Sequence, residues 1–360
     1  MNSDTTQPPA SVGRPMQRAF ASLPPELFLD VLDQLVGTPH GCLPIAYAPS
    51  DPVSKALRAL THVSRNTYLL ASRYLYDHCV YLDNCTNYAR FRRTMGLGLE
   101  WAHPEALDYG EAGRNNQLFG EADIMRSITS MFISPEKTKN CTKTMPLVRL
   151  PQIIDLGLVI GATLKRLAID LQPTYTPRSE ILTVMPHTAS KNIFLHMPLL
   201  EDLICSYDVP EYFPRPPPNL KRLAMTFQDM TATYLDFCFS ISTLEILVFL
   251  RPRELSAGDI DELFSRYHGR HLDVVLVDVW HNFATLSGTR DWTEEDRVAI
   301  WEAVVPSEPY AGEDELVLCD GWMWTHGVQG TLWTQEKRRM ADGRETQEQI
   351  SAFLATAVPL

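Results

Sequence analysis

The chain lacks most of the features that assign a protein early. Its seven cysteines (Cys42, Cys79, Cys85, Cys141, Cys205, Cys238, Cys319) are odd in number and include no Cys-x-x-Cys pair. They read as reduced, mostly buried thiols and not as a disulfide framework. Cations are outnumbered, 32 Lys and Arg against 44 Asp and Glu, for a formal charge of −12. Neither nucleic acid nor membrane is therefore expected as a partner, because phosphate binding needs clustered cations. No apolar run reaches the roughly 18 residues a membrane helix needs. The first 20 residues contain no apolar core of a signal peptide, so the expected location is cytoplasmic, nuclear or both.

Signatures of catalysis are missing too. There is no Gly-rich phosphate loop, no Gly-x-Ser-x-Gly elbow and no His-Glu-x-x-His helix. His268 and His271 are three apart, but no Cys or carboxylate pattern completes a metal site around them. Asp30 with Asp33, and Glu294-Glu295-Asp296, read as solvated helix faces. The expectation is a non-catalytic protein without cofactor.

What is present starts after a polar stretch. Residues 1–18, with Pro8, Pro9, Gly13 and Pro15, carry too few apolar side chains to offset the entropy of ordering and are expected to be disordered. Residues 19–78 then read as a helical module. Leu27, Phe28, Val31, Leu32 and Leu35 form one helical stripe, with Pro24 and Pro25 at its start and Gly37 and Pro39 at its end. Asp51-Pro52 restarts a helix carrying Val53, Ala56, Leu57, Leu60 and Val63, with Asp51 as N-cap. Ser64 caps a third helix holding Tyr68, Leu69, Ala71 and Leu75. Three short helices cannot bury all these stripes among themselves, so apolar surface should remain available.

These residues resemble a known family. Leu23-Pro24-x-Glu26-Leu27-x-x-x-Val31-Leu32-x-x-Leu35, then Asp51-Pro52, then Leu57-x-x-Leu60-x-x-Val63-Ser64-Arg65, look like an F-box, and Tyr74-Leu75-Tyr76 leading to Val80-Tyr81-Leu82 is similar to the segment behind that motif in many fungal F-box proteins. The resemblance implies docking on the Skp-type adaptor of a cullin-containing ubiquitin ligase. By position the adaptor contacts would be Leu23, Pro24, Leu27, Val31, Leu32 and Leu35, with Leu57, Leu60 and Val63 from the second half. The family turns between the first two helices within a few residues, whereas here residues 36–50 intervene.

Over residues 79–282 a spaced pattern appears. Leu164-Lys165-Arg166-Leu167-Ala168-Ile169 recurs at Leu200-Glu201-Asp202-Leu203-Ile204-Cys205, Leu220-Lys221-Arg222-Leu223-Ala224-Met225, Leu244-Glu245-Ile246-Leu247-Val248-Phe249 and Leu272-Asp273-Val274-Val275-Leu276-Val277. The first leucines are 36, 20, 24 and 28 residues apart, which resembles an irregular leucine-rich repeat with units of roughly 20 to 29 residues. Pro151–Ile160 and Tyr234–Phe239 fit return segments, and Val80–Leu82 an earlier strand. Glu121–Phe132 reads as a further helix.

Residues 283–360 carry a dense aromatic segment; six of the seven tryptophans lie between Trp280 and Trp333. Asp291 through Trp301 reads as a helix, Leu316–Leu318 as a strand, Gly321–Gly327 as a turn-rich segment and Thr334–Phe353 as a helix. The aromatics either cap the exposed end of the repeat stack or, at Trp322, Trp324 and Trp333, form a target-binding patch. The expected architecture is mixed α/β: a three-helix F-box, a leucine-rich-repeat-like solenoid and a Trp-rich cap. The function implied is recognition of an unidentified protein substrate for the ligase; the alternative is a repeat scaffold that recruits no ligase.

Overall fold

The computed structural model describes residues 24–38, 41–97, 124–136, 148–172, 192–227, 231–252, 265–279, 296–306 and 314–339. The disordered stretch expected at 1–18, Leu23, and the expected helices at 291–295 and beyond Arg339 lie outside these residues.

Three helices come first: α1 Pro25–Val36, α2 Pro52–Leu60 and α3 Arg65–His78. Their starts are fixed by the residues that the sequence marks. Asp51 accepts the Val53 amide at 2.7 Å. Ser64 Oγ accepts the Thr67 amide at 3.2 Å while Thr67 Oγ1 accepts the Ser64 amide at 2.9 Å, a reciprocal cap that satisfies two donors left free at a helix start. Phe28, Leu32 and Val36, spaced i, i+4, i+8, are buried together with Tyr47 and Leu57 in a small core that Leu35, Leu60, Leu70 and Leu75 help to close.

After α3 the chain enters one sheet: β1 Tyr81–Asn84, β2 Ser130–Glu136, β3 Arg166–Ile169, β4 Asp202–Cys205, β5 Arg222–Met225, β6 Ile246–Leu250, β7 Leu272–Val279, β8 Val298–Val305 and β9 Arg338–Arg339. Spatial order equals chain order, and every neighbouring pair is parallel except β8–β9. Register is in step, so Leu167, Leu203, Leu223 and Leu247 stand side by side, as do Ile169, Cys205, Met225 and Phe249. Each such leucine is fully buried and contributes on the order of 2 kcal/mol relative to exposure. They point to a first face, covered by α4 Cys85–Thr94, α5 Ile124–Ser127, α6 Leu150–Ile160, α7 Val209–Tyr212, α8 Ala232–Phe239 and short 3₁₀ turns.

The alternate residues Phe132, Ala168, Ile204, Ala224, Val248, Val275 and Ala303 point to the second face, which carries its own apolar cluster. The helix α9, Glu315–Val328, lies over it, contributing Cys319 and Met323. The C-terminal segment departs from expectation at several points. Residues 316–318 are helix and not strand, because Asp314 caps the Leu316 amide at 3.0 Å and Cys319, Met323 and Gly327 form an i, i+4, i+8 buried stripe. Gly321–Gly327 is likewise helical; Gly327 is there for proximity, since a Cβ on it would stand 2.5 Å from Ile204 Cδ1. Val298–Trp301 belongs to a strand, not a helix. Thr334 ends a 3₁₀ turn and Arg338–Arg339 pair with β8. The described part of the C-terminal segment thus covers a face of the sheet and, through β9, pairs with the edge strand β8. Earlier in the chain, the described part of the helix expected over Glu121–Phe132, from Ile124 on, is one short turn, Ile124–Ser127, followed by β2.

Candidate docking surface

Residues 37–50, inserted between α1 and α2, tie the helical module to the rest. The Tyr47 hydroxyl donates to Val36 O at 2.7 Å at the end of α1, and the Tyr47 amide to His78 O at 2.8 Å at the end of α3. The Ile45 amide donates to Val328 O at 2.7 Å at the end of α9, and Arg166 Nη1 to Leu43 O at 2.9 Å. Gly330, at φ +73°, lets the chain after α9 pass against this segment. Ser130 donates to Asp77 O at 2.6 Å, joining α3 to β2 directly.

With the insertion packed on its inner side, α1 presents a different side to solvent. Leu27 and Val31, one turn apart, are 51% and 52% exposed, next to exposed Pro24. Val63, after α2, is 40% exposed. Leu35 and Leu60 are partly buried against the small core, and Leu32 and Leu57 lie wholly inside it. The nine positions assigned to adaptor docking by resemblance therefore divide. Pro24, Leu27, Val31 and Val63 are open to a partner, Leu35 and Leu60 partly so, Leu32 and Leu57 hold the surface up from below, and Leu23 is not among the described residues.

The tryptophans named as a target patch are used largely from within. Trp324 meets Phe132 edge-on at 6.3 Å between ring centroids. Trp333 lies under the Arg222 guanidinium, 5.5 Å from its carbon, a cation held flat by a bidentate pair with Asp202 at 2.6 Å on each arm. Trp322 packs partly against the second-face cluster. No sequence pattern signals this seam, since Arg222 and Asp202 are 20 residues apart and meet only through strand pairing.

No protein-family model matches the chain, and no curated protein matches it. Among the described residues no three His, Cys, Asp or Glu side chains are grouped to hold a metal ion, and no helix is long and apolar enough to cross a membrane. Burial pushes the thiols up, Cys79 to about 11 and Cys319 to about 12, opposite to the depression a nucleophilic thiolate needs.

Proposed function

We propose that this protein is the substrate-recognition subunit of a Skp–cullin–F-box type ubiquitin ligase, with α1 to α3 as the F-box and the parallel sheet as an irregular leucine-rich-repeat domain that holds the target. The observation carrying the reading is the pair Leu27 and Val31, half-exposed on a helix whose opposite side already fills a core. Two apolar side chains one turn apart on the open side of a helix form a small apolar surface that a partner can cover. The proline at its start and the Val63-Ser64-Arg65 turn fit the same motif, and strands in chain order with Leu-x-x-apolar-x-apolar spacing fit the repeat. Such a receptor does no bond chemistry; it raises the local concentration of its target beside a conjugating enzyme.

Co-purification with a Skp-type adaptor tests the reading. Wild type should bind, and Leu27→Asp with Val31→Asp should abolish binding while leaving the unfolding midpoint unchanged. A wild-type protein that captures no adaptor ends the proposal.

A further inference from the structure

The residue that precedes each of four neighbouring strands is charged, and the signs alternate: Lys165 before β3, Glu201 before β4, Lys221 before β5 and Glu245 before β6. The strand registers put the four side by side, since Arg166 pairs with Asp202, Asp202 with Arg222 and Arg222 with Ile246. Backbone bonds fix the row. The Glu201 amide donates to Lys165 O at 2.8 Å, Lys221 to Glu201 O at 2.9 Å and Glu245 to Lys221 O at 2.7 Å. All four residues are exposed, and they line one groove at the rim of the sheet. At about 4.8 Å per rung the ladder spans about 14 Å.

A ladder of alternating charge can be satisfied within one chain, because opposite charges on adjacent strands attract. Here that happens only in the middle. Lys221 meets Glu201 at 3.2 Å, whereas the two ends, Lys165 and Glu245, bond to no opposite charge among the described residues. At the β7 end of the groove His271 is already bonded to Asp273 at 3.1 Å. The order Lys-Glu-Lys-Glu becomes Glu-Lys-Glu-Lys when it is reversed. The row of signs is therefore its own complement under a two-fold rotation, the symmetry of the commonest homo-oligomers.

We propose that this rim docks a second copy of the chain in an antiparallel, two-fold arrangement, with Lys165 of one protomer facing Glu245 of the other and Glu201 facing Lys221. The axis passes between Glu201 and Lys221, and the two ends left unpaired within a chain pair with each other between chains. Leu199, 50% exposed in the same groove, adds apolar area to the contact. Exposed ion pairs contribute little each, and a footprint this narrow lies at the small end of specific interfaces. The dimer is accordingly weak and sensitive to salt. It stands independently of the ligase reading; under that reading a second copy and a target compete for the rim.

Sedimentation equilibrium of the full-length protein tests this. At about 50 mM salt, over about 1 to about 300 μM protein, a reversible dimer should appear, and about 500 mM salt should dissociate it. Lys165→Glu and Glu245→Lys, both at exposed positions, should each raise the dissociation constant about tenfold, because the two-fold axis turns one reversal into two repelling contacts. An equimolar mixture of the two variants should regain the wild-type constant, since the two reversed side chains then meet each other and the native Lys165 and Glu245 meet as before. The chain carrying both reversals should regain it as well. A monomer throughout this range, a dimer that both single variants leave unchanged, or a mixture no stronger than either variant alone would overturn the proposal.

Discussion

Replacing Gly330 by alanine isolates the contact between the insertion and the C-terminal segment. Gly330 has φ +73°, and a Cβ there would sit 2.2 Å from Leu43 O and 2.9 Å from Leu43 C. Gly41, in the same insertion, has φ +69° but nothing within 4 Å of its Cβ position. Both substitutions impose the left-handed conformation on an L-residue, at roughly 1 kcal/mol, partly offset by lower entropy of the unfolded chain. Only Gly330→Ala collides with backbone, which cannot rotate away as a side chain can. To accommodate it, Leu43 must move, and with it go the bonds from Ile45 to Val328 O and from Arg166 to Leu43 O, at about 1 kcal/mol each. The expected losses are about 1 kcal/mol or less for Gly41→Ala and about 3 kcal/mol for Gly330→Ala. Urea unfolding followed by tryptophan emission measures both. Equal losses would show that the insertion is not anchored on the C-terminal segment.

Other outcomes rest on burial and charge. Leu32→Ala should cost about 2 to 5 kcal/mol, as a fully enclosed leucine does, whereas Val31→Asp should stay within about 0.5 kcal/mol; denaturant midpoints separate the two. His78 is buried with Nδ1 unpartnered, and burial lowers its pKa despite the nearby Asp77. An unfolded histidine takes up a proton near pH 6.5 that the folded one resists, so wild type should lose stability relative to His78→Gln as pH falls through about 6.5. Paired urea titrations at pH 7.5 and 5.5 check the sign. Arg251→Met strips Glu302, 6% exposed, of its 3.2 Å partner and leaves it, among the described residues, Arg338 at 2.9 Å; thermal unfolding should show a loss of about 3 kcal/mol or more. Glu302→Leu added to that variant should recover much of it.

The parts of the fold legible in the sequence are those where local chemistry and final packing agree. Asp51 and Ser64 cap the helices they precede because a short oxygen-bearing side chain is needed just there. β3 to β7 appear because their leucines face one shared core at a repeated offset. β2 and β8 escape for the opposite reason: Met131 and Phe132 go to different faces, as do Ile300 and Ala303, so a strand buried on both sides shows no alternation and reads as helix. α9 is hidden by its glycines. Gly327 signals a turn in isolation, and its purpose is visible only beside Ile204, which lies 123 residues earlier. The nine positions assigned by resemblance are legible as helical stripes but not by burial, since a helical stripe wider than one face does not tell which members go inward.

Coverage of the second face restricts where a target could sit. Among the described residues the first face is covered by return helices and the second by α9 and the insertion. One described surface left open is the rim at the start of the strands, where the Glu201, Lys221 and Glu245 amides bond to the preceding rung at 2.8, 2.9 and 2.7 Å. A groove of about 730 Å³ runs there, lined by Lys165, Leu199, Glu201, Lys221, Glu245 and Arg270 among others. Its charges alternate from strand to strand, and the one pair they form, Lys221 with Glu201 at 3.2 Å, is about half exposed on each side and adds little to stability. Fold stability therefore sets few limits on this rim, while Leu199, 50% exposed within it, offers apolar surface to a partner. Under the ligase reading, this rim is the described surface expected to engage a target.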